Sequence, residues 1–259
     1  PIAITDNNAI VELAKRLSVD LVVIGPEVPL VNGASDTLRS AGFAVFGPSK
    51  AAAALEGSKA FAKDVMAAAD VPTGMARKCT SIEEVKQALD AFGAPYVVKA
   101  DGLAAGKGVI VTSDRAEALE HASKFIEDGV LVEEFLDGQE VSLFFLSDGK
   151  HVMPLSPAQD YKRAFDNDEG PNTGGMGAYS PAPVVTPQIH AKVMREIIRP
   201  TVDGMAQEGH PYTGFLYAGL MISPDGNVKT LEFNCRMGDP ETQPIMLRMK
   251  SDLVALAEH

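Results

Sequence analysis

Residues 1–50 alternate between helical and extended patterns of hydrophobic and polar positions. Apolar side chains recur at helical spacing over 10–17, shortly after Asp6, a residue type that caps the amino ends of helices. The short apolar runs 20–24 and 43–46 predict two buried strands, and a second helix is expected between them over 29–41. This alternation predicts a doubly wound parallel sheet, in which ligands bind at the carboxyl ends of the strands.

A second unit begins near Ser58 with an apolar helical stripe and continues as strands that alternate with helices. Continuous apolar runs predict three strands, over 96–100, 108–112 and 130–134. Two helices of this unit begin with a capping box, because Ser81 and Asp114 each precede a glutamate by three residues. The pattern therefore predicts that residues of about 70–135 alternate between strand and helix, with a glycine-rich connection in the middle.

The stretch 154–186 is rich in proline and glycine and lacks the periodicity of a helix or strand. A loop of this length inside a compact domain is usually functional or disordered. A helix is then predicted from Pro187, with a kink near Pro200. Two strands over 215–222 and 228–235 are joined by a Pro-Asp-Gly-Asn turn, which predicts a hairpin.

Composition and charge argue against several classes of protein. Hydrophobic residues make up 46% and charged residues 22% of the 259, as in an ordinary folded domain. The net charge of −12 repels nucleic-acid phosphates and anionic lipid, so neither is an expected partner. No apolar run reaches the roughly 18 residues of a membrane helix. The two cysteines cannot build a disulfide framework, which predicts a cytoplasmic protein.

The ends of the sequence also carry information. The chain opens at Pro1 without a methionine, and it stops within the apolar stretch 253–256. We therefore expect it to be a piece of a longer protein.

The segment Lys99–Gly108 is the sharpest local motif, with glycines at 102, 106 and 108 between two predicted strands. Backbone N–H groups of such a loop can approach phosphate oxygens closely, and lysines stand at both ends of it. The spacing is not that of a Walker A loop, and a strand rather than a helix follows. The alternative is a flexible hairpin tip without a ligand.

A second motif ends the last predicted strand. Because strand side chains alternate between faces, Glu232 and Asn234 point to one side, and Phe233 and Cys235 point to the core. Two oxygen ligands at this spacing suit Mg²⁺, which otherwise takes phosphates and water. Arg236 continues the polar face and is able to clamp an anion. The alternative is a polar strand edge that faces solvent.

Two weaker motifs complete the candidates. The apolar strand that ends in Glu133 and Glu134 is suited to present backbone groups to a purine edge, with Glu140 on ribose hydroxyls. Exposed glutamates after a strand are also common without any such role. The loop 159–163, together with the glycine-rich run 170–177, has the character of a substrate loop, and disorder is its alternative.

Other chemistries find little support in the sequence. The five histidines are scattered without ligand spacing, which argues against zinc. Cys79 and Cys235 have no nearby catalytic partner and are expected to be packing residues, and no Gly-x-Ser-x-Gly elbow occurs. No side-chain nucleophile is therefore evident.

Together these segments resemble the ATP-grasp superfamily and, within it, the phosphoribosylamine–glycine ligases (glycinamide ribonucleotide synthetases) of purine biosynthesis. The resemblance runs over essentially the whole chain. It is carried by the segments 25–30, 55–59, 99–108, 133–135, 170–178, 212–220 and 232–244.

The resemblance implies an α/β chain, α+β in its ATP-grasp part. It consists of a partial N-terminal doubly wound parallel sheet followed by an ATP-grasp fold. It also implies four segments: the C-terminal part of an N-terminal Rossmann-like substrate domain over 1–48, a linker and first ATP-grasp helix over 49–73, a small ATP-grasp lid domain over 74–136, and a truncated main catalytic domain over 137–259.

The implied reaction joins glycine to 5-phosphoribosylamine at the expense of ATP, through glycyl phosphate, with Mg²⁺ or Mn²⁺. Mapped by the resemblance, the catalytic residues are Arg236, Asp160 and Lys162, which contact glycine or phosphoribosylamine, and the metal ligands are Glu232 and Asn234. The ATP-binding residues are Lys59, Lys99, Gly106 and Lys107 on the phosphates, Glu133, Glu134, Phe135 and Leu136 at the adenine, and Glu140 on the ribose.

The sequence departs from the family at two places. An acidic metal ligand is common on the neighbouring strand, where 217–222 is apolar, and the connection 125–130 is short. The alternatives to the ligase are a non-catalytic ATP-binding module and another ATP-grasp carboxylate–amine ligase. The chain is expected to act as a monomer or as part of a multifunctional purine-pathway protein, without nucleic-acid or membrane partners.

Overall fold

The computed structural model describes residues 2–104, 107–161, 163–166, 169–173 and 175–258. Its elements form three parts: an amino-terminal helical unit around a pair of parallel strands, a small antiparallel sheet, and a larger antiparallel sheet. No helix among the described residues is long and apolar enough to cross a membrane.

The amino-terminal unit has the alternating order that its sequence predicts. Strands β1 and β2 pair in parallel, with Leu21 opposite Ala44, and the Asp6 side chain caps α1. The helix expected over 29–41 is instead two short helices, because Gly33 adopts a φ of +85° between them. The elements are α1 Asn7–Leu17, β1 Leu21–Val23, α2 Glu27–Val31, α3 Ala34–Ser40 and β2 Ala44–Phe46.

Two helices connect this unit to the rest of the molecule, α4 Lys50–Gly57 and α5 Lys59–Ala68. Ser58 separates them with an extended backbone, and its side chain accepts a hydrogen bond from the Phe61 N–H. The helix start at Ser58 is therefore confirmed, since a capping serine satisfies one of the free N–H groups of the second helix.

The small sheet has the strand order β3-β6-β4-β5, and all of its neighbouring strands are antiparallel. Helices α6 and α7 begin at Ser81 and Asp114, whose side chains accept backbone N–H groups as predicted, and both helices pack on the sheet. The elements are β3 Ala76–Cys79, α6 Ile82–Phe92, β4 Tyr96–Ala100, β5 Val109–Thr112, α7 Arg115–Phe125 and β6 Val130–Glu133.

The main sheet has the order β14-β13-β7-β8 and is also antiparallel throughout. Its long central pair is β7 Gln139–Asp148 and β13 Thr213–Ile222, flanked by β8 Val152–Pro154 and β14 Val228–Asn234. The predicted hairpin between the last two strands is confirmed. Antiparallel pairing here makes this part of the chain α+β, as expected.

The helical segment after 186 contains a change of winding. Helix α8 Pro187–Val193 runs into a π-helical turn, Met194–Ile198, and then into α9 Arg199–Gln207. Pro200 has no N–H to donate to the preceding turn, which explains the irregularity near the predicted kink.

The proline- and glycine-rich stretch contains more pairing than its sequence indicates. Its four short strands form two antiparallel pairs, β9 with β12 and β10 with β11. They are β9 Gln159–Asp160, β10 Arg163–Phe165, β11 Glu169–Asn172 and β12 Ala178–Tyr179, and α10 Thr242–Arg248 and α11 Leu253–Glu258 end the described chain. Strands this short carry no periodic signal, so only their partners reveal them.

One large core joins the amino-terminal helices to the main sheet. Leu30 and Leu55 from the helices share this core with Phe145 and Leu216 from the sheet. At its edge the backbones of Gly47 and Gly214 come so close that a Cβ on Gly214 would lie 2.9 Å from the Gly47 Cα. The amino-terminal unit is thus fixed against β13.

We expect Gly214→Ala to destabilise the protein strongly. Gly214 has a φ of +112°, and the added methyl group would also meet the Gly47 backbone. Strain of about 1–2 kcal/mol adds to an overpacking cost of about 1–3 kcal/mol. Gly209→Ala is the matched control, because Gly209 has a φ of +82° with open space around it. Chemical denaturation checks both variants, and equal losses of unfolding free energy would contradict the close packing.

Candidate active site

A cleft lies where the small sheet faces α5 and the end of β14. Its walls combine backbone of the loop after β4 with charged side chains from every part of the molecule. The charged and polar side chains that line it are Glu27, Glu56, Lys59, Lys63, Glu133, Glu232, Asn234 and Arg236. Cations and hard oxygen donors therefore share one concave surface.

Two lysines line this cleft, and a third pairs with the Glu133 carboxylate of its wall. The Lys59 Nζ donates to the Gly102 carbonyl at 2.9 Å, and Lys63 lies one helical turn further along α5. Lys99 reaches the same place from β4, and its Nζ donates to the Leu231 carbonyl at 3.3 Å. Lys63 was not predicted, although its spacing of four residues from Lys59 would have placed both on one helix face.

The two lysines of α5 are partly removed from water. Burial lowers the pKa of Lys59, while the Glu232 carboxylate acts in the opposite direction. Burial also lowers the pKa of Lys63, and Glu133 partly opposes this shift. An incoming anion would raise the pKa of both side chains again, so the cluster favours a polyanion such as a triphosphate.

The Glu133 carboxylate lies within this lysine cluster. Its Oε2 is 3.1 Å from the Lys99 Nζ and 3.2 Å from the Lys63 Nζ, and the residue is 4% exposed. The side chain therefore compensates the lysines, and the backbone of β6 is paired with β3 on one side and with β4 on the other.

Glu232 and Asn234 share one face of β14, as strand alternation predicts, while Phe233 and Cys235 are buried in the core. The Asn234 side-chain amide donates to Glu232 Oε1 at 3.2 Å. Gly219 lies opposite Glu232 on β13, and a Cβ there would be 3.2 Å from the Glu232 Cγ. A glycine at this position leaves room for the carboxylate.

The donor set fits a hard divalent cation that shares its ligands with phosphate. No group of three or more His, Cys, Asp or Glu side chains suited to a metal occurs among the described residues. Mg²⁺ needs no such cage, because it commonly takes one or two protein oxygens together with phosphates and water. The carboxylate of Glu232 and the amide oxygen of Asn234 match that mode of coordination.

Arg236 lies at the other end of the cleft and is held by two carboxylates. Glu56 Oε1 is 3.1 Å from the Arg236 Nη2, and Glu27 Oε2 is 3.5 Å from its Nε. Burial lowers the pKa of Arg236, but Glu56, Glu27 and Glu232 all raise it, and the net shift is upward. Sequence reasoning missed both glutamates, although Glu27 follows the carboxyl end of β1, where ligands of such sheets bind.

The glycine-rich loop covers one side of the cleft. At its start, Asp101 accepts hydrogen bonds from the Ser58 hydroxyl and the Ala60 N–H of α5. At its end, a Cβ on Gly108 would lie 2.6 Å from the Ala104 Cβ, so glycine is required there. Lys107 is exposed, and the predicted Gly106 lies outside the described residues.

The other predicted nucleotide residues do not line this cleft. Glu134 forms an ion pair with Lys229, Phe135 is 44% exposed, and Leu136 lies beside Gly74. Glu140 is on β7, where its carbonyl accepts a hydrogen bond from Gln159 at 2.8 Å. Their roles at the adenine and ribose stay predictions.

None of the described residues of the predicted substrate loop lines the cleft. Asp160 is on β9, opposite Ala178 of β12, and is not among the cleft residues. Lys162 lies outside the described residues. Gly175 packs against Pro240, which brings this loop next to the segment that follows Arg236.

Both cysteines are buried, as expected of packing residues. The Cys235 thiol donates to Glu56 Oε2 at 3.0 Å, and burial raises its pKa strongly. Burial also raises the pKa of Cys79. A thiolate nucleophile is therefore disfavoured at either position.

Comparison with known proteins agrees with this geometry. The family profile "Phosphoribosylglycinamide synthetase, N domain" matches residues 1–56, and "Phosphoribosylglycinamide synthetase, ATP-grasp (A) domain" matches residues 57–242. The chain is similar to the phosphoribosylamine–glycine ligase of Escherichia coli O157:H7, at 57% identity over 98% of this chain and 61% of the relative. It is also similar to that of Streptomyces coelicolor, at 59% identity over 97% and 60%.

Among solved structures, the phosphoribosylamine–glycine ligase of Thermotoga maritima matches with a TM-score of 0.72 and 41% identity, over 78% of this chain and 53% of that one. The chain spans about three-fifths of the length of the two curated relatives. The expected ATP-grasp fold is confirmed by the family match over most of the chain. The chain belongs to the phosphoribosylglycinamide synthetase family.

Proposed function

We propose that this protein is an ATP-dependent ligase that joins glycine to 5-phosphoribosylamine and yields glycinamide ribonucleotide, ADP and phosphate. The observation that carries the proposal is a cleft lined by Lys59, Lys63, Glu232 and Asn234, in which Lys99 pairs with the Glu133 carboxylate of the cleft wall. The names of the relatives support the choice of substrates.

In the first step a glycine carboxylate oxygen attacks the γ-phosphorus of ATP, and the bond to the ADP oxygen breaks. The product is glycyl phosphate. The lysine cluster holds the phosphates in line and offsets their charge, which is the main protein contribution to phosphoryl transfer. No protein nucleophile is needed, in agreement with the buried thiols.

Glu232 and Asn234 would hold Mg²⁺, or Mn²⁺ in its place. When bound, such a cation neutralises charge on the phosphates and orients them. The choice between the two ions is part of the proposal, with Mg²⁺ favoured by the hard oxygen donors.

In the second step the amine nitrogen of phosphoribosylamine attacks the glycyl carbonyl carbon, phosphate leaves, and the nitrogen loses a proton. Arg236 presents its guanidinium to an anionic group of glycine or phosphoribosylamine, and Asp160 and Lys162 are proposed as further contacts. The loop 101–108 closes over the cleft and excludes water, which would otherwise hydrolyse the acyl phosphate.

We further propose that the segment Glu133–Leu136 borders the adenine and that Glu140 accepts the ribose hydroxyls. The segments 1–48, 49–73, 74–136 and 137–259 are proposed as substrate domain, linker, lid and catalytic domain. A cytoplasmic location, and action as a monomer or within a multifunctional chain, belong to the same proposal.

The second candidate is an ATP-binding module without catalysis, and the third is a ligase for another carboxylate. The former is disfavoured because Lys99, Glu232 and Asn234, which are assigned to phosphate and metal, are all present. The named relatives argue against the latter.

ADP release from the full-length protein decides between these candidates. We expect ADP to form only when ATP, glycine and freshly generated phosphoribosylamine are all present, with glycinamide ribonucleotide as the product. The assay is repeated with each of the three substrates omitted in turn. ATP binding without ADP release in any combination would favour the binding module, and release with a different carboxylate would replace glycine.

We expect Glu232→Ala to lower metal-dependent turnover by about a hundredfold or more, since one group that stabilises transition-state charge contributes about 10²–10³ in rate. The fold should persist, because Glu232 is only half-buried. Glu120→Ala, at an exposed position on α7, is the control with unchanged turnover. Activity and denaturation midpoint are measured with Mg²⁺ and with Mn²⁺, and full activity of Glu232→Ala would remove the metal assignment.

The affinity for ATP should fall with rising pH before the usual lysine pKa of about 10.4 is reached. Burial lowers the pKa of Lys59 and Lys63, so both lose their proton early, and a neutral amine no longer attracts phosphate. Calorimetric titration with metal-free ATP from about pH 7 to about pH 10 measures this. Lys59→Arg keeps its charge over this range, so its affinity for ATP should depend less on pH than that of the wild type. An equal pH dependence in both proteins would contradict the contact between Lys59 and phosphate.

A further inference from the structure

Glu56, in the last turn of α4, is a buried carboxylate that the proposed reaction does not use. Only 8% of the residue is exposed, and it faces the end of β14 across the cleft wall. A buried charge is costly unless it is paired and hydrogen-bonded, so its partners indicate what it does.

Each oxygen of Glu56 has a distinct partner. Oε2 accepts the Cys235 N–H at 2.7 Å and the Cys235 thiol at 3.0 Å, whereas Oε1 lies 3.1 Å from the Arg236 Nη2. Burial raises the pKa of Glu56, and Arg236 and the Cys235 bonds oppose that shift. One carboxylate thus fixes both the backbone before Arg236 and the guanidinium itself.

The remaining contacts of Arg236 are longer. Its Nε is 3.5 Å from Glu27 Oε2, and its Nη1 donates to the Met237 carbonyl at 3.3 Å. Arginine has a long side chain with many rotamers, and these contacts alone hold it loosely. The 3.1 Å contact with Glu56 is the shortest ion pair of Arg236 among the described residues.

We propose that Glu56 is a positioning residue for Arg236, which it holds at the orientation that the substrate requires. The inference rests on the proposed function, because it assigns Arg236 a substrate contact. It also implies that the amino-terminal half of the chain sets the geometry of the catalytic cleft through α4. A purely structural role, in which Glu56 only anchors α4 to β14, predicts a different outcome.

A double-mutant cycle separates the two roles. The full-length wild type, Glu56→Gln, Arg236→Met and the double variant are assayed with ATP, glycine and phosphoribosylamine. We expect Glu56→Gln to lower kcat/KM for glycine or phosphoribosylamine about tenfold or more while the KM for ATP stays within about twofold. In the Arg236→Met background Glu56→Gln should lower kcat/KM no further, because the guanidinium that Glu56 positions is absent.

Cys235→Ala is the matched control. It removes the thiol contact with Glu56 but keeps the backbone N–H bond and the contact of Glu56 with Arg236. We expect its kcat/KM to stay within about twofold of the wild type. If Glu56→Gln does not fold, Glu56→Asp replaces it, because it keeps the charge but shortens the reach to Arg236.

Three results would overturn the proposal: unchanged kinetics of Glu56→Gln, an equal loss in both backgrounds, or a loss confined to the KM for ATP. The denaturation midpoints of the four proteins are also measured without substrate. We expect the denaturation midpoint of the double variant to fall by less than the sum of the decreases in the two single variants. Additive losses of stability would show that Glu56 and Arg236 are not coupled, and this would overturn the inference about Glu56. A wild type that makes no product would overturn the proposed function instead, and the stability measurement can still be made in that case.

Discussion

Opposite charges buried together hold the parts of this molecule around its cleft. Glu133 at the end of β6 lies between Lys63 of α5 and Lys99 of β4, and all three side chains are largely removed from water. The Lys63 and Lys99 ammonium groups repel each other, and the Glu133 carboxylate, 3.2 Å from one and 3.1 Å from the other, offsets the repulsion. Because Lys99 also donates to the Leu231 carbonyl, the same cluster joins the small sheet to β14.

The amino-terminal unit contributes to the site through packing as well as charge. Its helices share one core with the main sheet, and the close approach of Gly47 and Gly214 fixes their relative position. This packing brings Glu27 and Glu56 to Arg236, where neither could arrive by local structure. The Arg236 end of the cleft is therefore assembled from two distant halves of the chain.

The cleft thus has two chemically different ends. Lys59 and Lys63 at one end have a pKa lowered by burial, which an anionic ligand reverses. Arg236 at the other end keeps its proton under the influence of two carboxylates. A polyphosphate and a smaller anion can therefore bind side by side, which is the arrangement that transfer between ATP and a carboxylate requires.

Local patterns in the sequence determined the strands β1, β2, β4, β5, β6, β13 and β14, the helix caps at Ser81 and Asp114, the closing hairpin, and the alternation of Glu232 and Asn234 with buried neighbours. These depend on residues a few positions apart, so periodicity reveals them. Only the tertiary structure decided that the Glu133 side chain joins the lysines and that Glu56 meets Cys235, 179 positions away. Such contacts arise from packing of separate elements, and no local pattern encodes them.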